Sequence, residues 1–137
     1  MIRGSCNCEG VSFEVDAAVT DLYMCHCSIC RRSTGTHGVA VVVVANEEFR
    51  WTGGEALVTS WEKPNADWQC WFCRVCGSPL PGVNDPLRMF VPAGLIRESD
   101  DALAVKNHIW VNSKAEWDVI GDAGKLHPEA YQPDLTS

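Results

Sequence analysis

The chain has 137 residues, of which 46% are hydrophobic and 21% charged. That length accommodates one ordinary core and not two, and that balance excludes a disordered chain. Eleven basic against eighteen acidic residues give a net charge of −7, which opposes a nucleic-acid footprint, and no apolar run approaches the roughly 20 residues of a membrane helix, so neither nucleic acid nor membrane is an expected partner.

The first residues, Met1-Ile2-Arg3-Gly4-Ser5-Cys6, contain no apolar export core, so a cytoplasmic location is expected. Residues 11–15 alternate Val, Ser, Phe, Glu, Val, the pattern of a half-buried strand. Residues 22–25 form a short apolar strand running into a cysteine cluster, and 28–33 suit a single helical turn. The Val-rich stretch 38–45 reads as a central strand buried on both faces. A strand at 49–51 ends on Gly53-Gly54, a turn signal. Two β-rich stretches, 57–61 and 68–72, flank a polar loop, and two more strands follow at 87–91 and 107–111. A turn at 113–117 comes next. From Gly121 onward the chain is polar, with Pro128 and Pro133, so a single domain over 1–120 and a loosely packed tail over 121–137 are expected. Many short strands with Gly/Pro turns predict a mainly β sandwich or barrel-like domain.

The cysteines carry the chemistry. Eight of them fall at 6 and 8, at 25, 27 and 30, and at 70, 73 and 76. In a reducing compartment clustered cysteines bind metal more often than they form disulfides. Cys6-Asn7-Cys8 and Cys73-Arg74-Val75-Cys76 supply four thiolates from two distant segments, the pattern of a closed structural zinc site. Gly77 follows the second pair and can take positive φ, turning amides toward the thiolates. Cys25, Cys27 and Cys30 supply three thiolates, which leaves a fourth zinc position open to substrate, the pattern of a catalytic zinc. Two Zn²⁺ per chain are therefore expected.

Three ordered motifs, Gly4-Ser5-Cys6-Asn7-Cys8-Glu9-Gly10, Cys25-His26-Cys27-Ser28-Ile29-Cys30-Arg31-Arg32 and Phe72-Cys73-Arg74-Val75-Cys76-Gly77-Ser78, precede a fourth at His108-Ile109-Trp110-Val111 with Ser113-Lys114 and Trp117. Together they resemble the glutathione-dependent formaldehyde-activating family, which includes centromere protein V. The resemblance spans roughly residues 4–118. It implies an Mss4-like β-sandwich or tent with two zinc ions, the first held by Cys6, Cys8, Cys73 and Cys76 and the catalytic one by Cys25, Cys27 and Cys30. It also implies carbon–sulfur lyase chemistry, the reversible joining of a small thiol such as glutathione to formaldehyde or a related aldehyde. Cys70 lies outside the family pattern; in a strand over 68–72 it shares a face with Trp68 and Phe72, and a buried apolar thiol is expected there.

His26 sits between two ligands, and its side chain is expected to point away from the metal into packing or a hydrogen bond. His37 and His108 are read as structural, with a pocket role as the alternative. Arg31 and Arg32 offset thiolate charge or receive a carboxylate of an anionic thiol. Two competing readings stay open. A purely structural zinc module that binds a protein would have Cys70 or a histidine closing the second site, and a redox protein would use Cys70 and Cys73.

Overall fold

The computed structural model describes residues 1–134. In chain order these form β1 (Ile2–Ser5), β2 (Ser12–Val15), β3 (Asp21–Cys25), α1 (Ser28–Thr34), β4 (Val39–Ala45), β5 (Phe49–Gly53), β6 (Val58–Glu62), β7 (Gln69–Cys73), β8 (Gly82–Asp85), β9 (Arg88–Pro92), β10 (Ile96–Ser99), β11 (Ala104–Ile109) and β12 (Lys125–Leu126). The domain is mainly β, as the turn-rich sequence predicts. Its strands make open sheets and no barrel: four strands in the order β10-β1-β2-β5, six in the order β12-β11-β3-β4-β9-β8, and the separate hairpin β6-β7.

The core forms where the two larger sheets meet. Alternation on β2 turns Phe13 and Val15 inward, with Ile2 of β1, and they pack against Val42 and Val44 of β4 and Val91 of β9. Each such side chain, fully removed from water, contributes about 1.5–3 kcal/mol. Only one face of β4 is sealed in this way. Val39 and Val41 are half-buried and line a cleft, so the expectation of a strand buried on both faces is corrected: no second layer covers that side.

Three further differences bear on the site. The single turn expected at 28–33 is a seven-residue helix, because both ends are capped. Cys27 accepts from the Cys30 amide at its start, and the Gly35 N–H returns to Arg31 O at its end. Of the tail expected to pack loosely over 121–137, residues 135–137 lie outside the described residues, and 121–134 are mostly exposed but add β12 in parallel to β11. This segment also buries His127 to 2% exposure. The His127 ring anchors it, accepting from the Gln132 N–H at Nδ1 (3.2 Å) and meeting Asn107 Oδ1 through Nε2 (2.9 Å). Finally, β6-β7 docks on the six-stranded sheet through Trp71, whose ring lies 5.9 Å from that of Phe90 on β9.

Candidate metal centres and the cleft between them

Cys6, Cys8, Cys73 and Cys76 bring their sulfurs within 4.8 Å of one another. The Cys6 and Cys8 sulfurs are 3.5 Å apart, and those of Cys8 and Cys73 3.8 Å. A tetrahedral zinc with Zn–S bonds of about 2.3 Å sets its sulfurs about 3.8 Å apart, whereas a disulfide needs about 2.05 Å. The donor set and its spacing therefore fit a metal and not a disulfide. Two turns aim the thiols. The Val11 N–H points at Cys6 Sγ (3.4 Å) while Cys6 N–H bonds Val11 O (3.1 Å). In the second turn Gly77 has φ +76°, and its N–H donates to Cys73 O at 2.7 Å. Ser78 Oγ accepts from the Asn7 N–H at 3.0 Å and lies 3.2 Å from Cys76 Sγ, within hydrogen-bond reach. That hydroxyl first, and then the Ser78 amide, hold the Cys76 thiol down to about 5. Val11 and Leu80 pack over the group, and Cys6 and Cys73 are buried.

Cys25, Cys27 and Cys30 form the second group, again with sulfurs within 4.8 Å. Cys25 closes β3, between Val39 of β4 and Ile109 of β11. Cys27 is the N-cap of α1, accepting the Cys30 N–H at 3.3 Å. Hydrogen bonds from the Cys25 thiol first, then from Cys30 and the Cys30 and Ile29 amides, hold Cys27 down to about 2. The same crowding pushes Cys25 up to about 11, chiefly through Cys27, and raises Cys30, chiefly through Cys25. The three thiols thus hold their protons unequally, and a cation among the sulfurs would favour the ionised forms. Both clusters can hold metal ions. Neither a histidine nor Cys70 joins the triad among the described residues.

His26 does turn away from the sulfurs. It is 1% exposed, and its Nε2 lies 2.8 Å from His108 Nδ1. The Asp122 carboxylate accepts from His108 Nε2 at 2.8 Å, which fixes His108 Nδ1 as acceptor and His26 Nε2 as donor. The opposite nitrogen, His26 Nδ1, faces Asp118 Oδ2 at 3.6 Å. Burial first, and then His108, lower the His26 pKa, and the bond from His108 holds Asp122 below the ordinary carboxylate value. Neither His37 nor His108 lines the cleft. Asp118 and Asp122 were not singled out in the sequence; no spacing rule links an aspartate to a histidine across a β–loop segment.

The cleft holds about 820 Å³ and opens between the uncovered face of β4 and β9 and the hairpin β6-β7. Cys25 and Cys30 lie on its wall, as do Trp68, Trp71 and Phe90. Cys70 is on this wall too, half-buried. Its expected burial is corrected, since a two-stranded ribbon has no layer of its own to cover that face. Arg31 and Arg32 do not line the cleft; Arg32 Nε instead donates to Ser28 O at 3.2 Å.

The family model described as glutathione-dependent formaldehyde-activating enzyme matches residues 1–113. The chain belongs to that family. The matched span contains both cysteine clusters and all of β1 to β11, and leaves out β12. A crystal structure of a Rhodobacter sphaeroides protein is similar to this member of the formaldehyde-activating family with a TM-score of 0.58. It covers 74% of this chain and 97% of its own at 22% identity, which speaks for the fold alone. Among curated proteins none matches the chain at a significant level. No helix among the described residues is long and apolar enough to cross a membrane.

Proposed function

We propose that the chain is a zinc-dependent carbon–sulfur lyase that reversibly adds a small thiol, such as glutathione, to formaldehyde or a related small aldehyde in the cytoplasm. The observation that supports this reading is the asymmetry of the two clusters. In the four-cysteine group Val11 and Leu80 pack with the buried Cys6 and Cys73, and none of its sulfurs' residues lines the large cleft, whereas the three-cysteine group puts Cys25 and Cys30 on the wall of that substrate-sized cleft.

Cys6, Cys8, Cys73 and Cys76 hold a structural zinc, and Cys25, Cys27 and Cys30 a second one with a position left for substrate. Bound at the triad, zinc supplies Lewis acidity toward a carbonyl oxygen and lowers the pKa of a thiol. The residues of the chain do the rest. The Cys30 N–H, donating to Cys27 Sγ at 3.3 Å, orients that sulfur toward the triad. His108, tied to Asp122, holds His26, which fixes the Cys25-to-Cys27 turn from behind. Trp71 and Phe90 form an apolar wall that limits water around the adduct. The reaction balances without a redox partner: one C–S bond forms, the C=O π bond opens, and the proton leaving sulfur is the one the new hydroxyl gains.

The test is exchange NMR on the zinc-loaded chain with formaldehyde and a thiol. Hemithioacetal exchange should run well above the buffer rate, and Cys30→Ser should return it to that rate with the circular dichroism unchanged. Equal exchange in the variant and the parent chain would sink the proposal.

A further inference from the structure

The family match ends at residue 113, yet the chain beyond it returns to the triad from behind. Asp122 Oδ1 accepts two bonds of 2.8 Å, one from His108 Nε2 and one from the Gly124 N–H. His108 Nδ1 then meets His26 Nε2, also at 2.8 Å, and the two rings are inclined by 28° with centroids 5.1 Å apart. His26 sits between Cys25 and Cys27, and its backbone N–H donates to Ile109 O at 3.0 Å. A carboxylate outside the matched span is therefore joined, through two buried rings, to the turn that aims two of the three sulfurs.

Asp118 reaches the same His26 ring from the other side and makes no such bond. The Asp122 carboxylate has no hydrogen to give, so with both rings neutral every donor in the row points toward it, and His26 Nδ1 keeps a lone pair. That lone pair faces another acceptor, Asp118 Oδ2, at 3.6 Å, beyond hydrogen-bond length. Both atoms are buried and have no hydrogen-bond partner. Asp118 is fastened by its own turn instead, with Lys114 Nζ donating to Asp118 O at 2.7 Å. The His26 ring is thus held from one side only.

We infer that Asp122 is a positioning residue of the triad: by orienting His108, which orients His26, it sets how closely the three sulfurs converge on a metal. The inference rests on the reading that the triad holds a metal ion, and Asp122 acts only through the two histidines.

The experiment is competition between a chelator and the full chain for Co²⁺, read from thiolate-to-cobalt absorption. The parent should take up two equivalents, and the one that Cys30→Ser abolishes belongs to the triad. Asp122→Ala should weaken that equivalent by about tenfold, the low end for outer-shell partners because His26 orients ligands without being one, and leave the other within about twofold. The ligand-field bands of the triad equivalent should shift as well, a change that loosened packing of the tail would not make. In Asp122→Asn the side-chain oxygen still accepts from His108 Nε2 and the Gly124 N–H, so affinity should return to within about threefold of the parent. Asp118→Ala removes no hydrogen bond from His26 and should stay within about twofold. A triad equivalent as tight in Asp122→Ala as in the parent, equal weakening of both equivalents, or an Asp118→Ala variant as weak as Asp122→Ala overturns the inference while the two-metal reading stands. A parent chain that takes up a single equivalent overturns both. Should Asp122→Ala not fold, long-range ¹⁵N–¹H spectra of the parent decide: His26 and His108 should each carry the ring proton on Nε2, and a proton on Nδ1 of either overturns the inference.

Discussion

A methyl group at position 82 tests how the cleft is built. Gly82 opens β8 against the indole of Trp71, and a Cβ placed there would sit 1.9 Å from Trp71 Cε3 and 2.5 Å from Cδ2 and Cζ3. Ordinary contact begins near 3.4 Å, so Gly82→Ala drives the ring back by about 1.5 Å, and overpacking of this kind costs about 1–3 kcal/mol. Trp71 is half-buried and lines the cleft, so the ring escapes toward open space and the lower half of that range applies. For a chain of this length each kcal/mol lowers the melting temperature by about 3–5 °C, which gives a fall of roughly 3–10 °C. The assay is thermal unfolding of the metal-loaded protein by circular dichroism, alongside tryptophan emission. Because the clash is specific to one ring, Gly82→Ala should cost about 1 kcal/mol less in a Trp71→Leu background than in the parent chain. A melting temperature within about 2 °C of the parent, or full additivity in the cycle, would refute the packing argument.

The two clusters should lose metal in sequence: a mild chelator removes one equivalent while the β-sheet circular dichroism holds, and Cys73→Ser gives insoluble or partly unfolded protein. Cys70→Ala should leave the metal count unchanged, and loss of both metals in one step with the fold would contradict two distinct sites. On the acid side, His127 matters. Its Nδ1 accepts from the Gln132 N–H, so only the neutral ring fits, and burial first, with Lys125 second, lowers its pKa. The unfolded chain then binds more protons than the folded one once the pH drops below the ordinary histidine value near 6.5. The His127 contribution is present above that pH and is lost on falling through it toward the folded pKa. Amide exchange in β12, corrected for intrinsic rate, should accelerate from pH 7.5 to 5.5 relative to β4; equal change in both strands would contradict this.

What could be read from the sequence was local. Cys25, Cys27 and Cys30 span six residues, so spacing alone brings them together, and the C-x-C and C-x-x-C turns aim their own pairs. Gly77 announces its turn because positive φ is a property of the residue itself. What escaped was set by distant parts of the chain. His26 finds His108 across 82 positions, and no periodicity encodes that pairing. The half-open face of β4 and the exposed side of Cys70 have one cause: β6-β7 is a separate ribbon that meets the six-stranded sheet through Trp71 and Phe90 and leaves a cleft beside that contact. Valine content reports burial propensity and does not say which face a second layer will cover. In the segment after Gly121, polar composition concealed one buried histidine, and one side chain with both ring nitrogens satisfied is enough to hold a two-residue strand.

The two clusters also divide their work by sequence separation. Cys8 and Cys73 are 65 positions apart, so a metal that joins them closes a long loop, and its binding energy becomes folding energy. The triad lies within one strand end and one helix start, so a metal there would close almost no chain and should exchange without unfolding. Cys73 is, in addition, the last residue of β7, the strand that carries Cys70 and Trp71 onto the cleft wall. The closed cluster therefore anchors the hairpin that walls the cleft on which Cys25 and Cys30 also lie. Loss of a metal from the four-cysteine cluster would disturb the cleft, whereas loss of one from the triad would leave its walls in place. Substitutions in β6-β7 and its loop would therefore change the lining of the cleft while both groups of sulfurs stay in place.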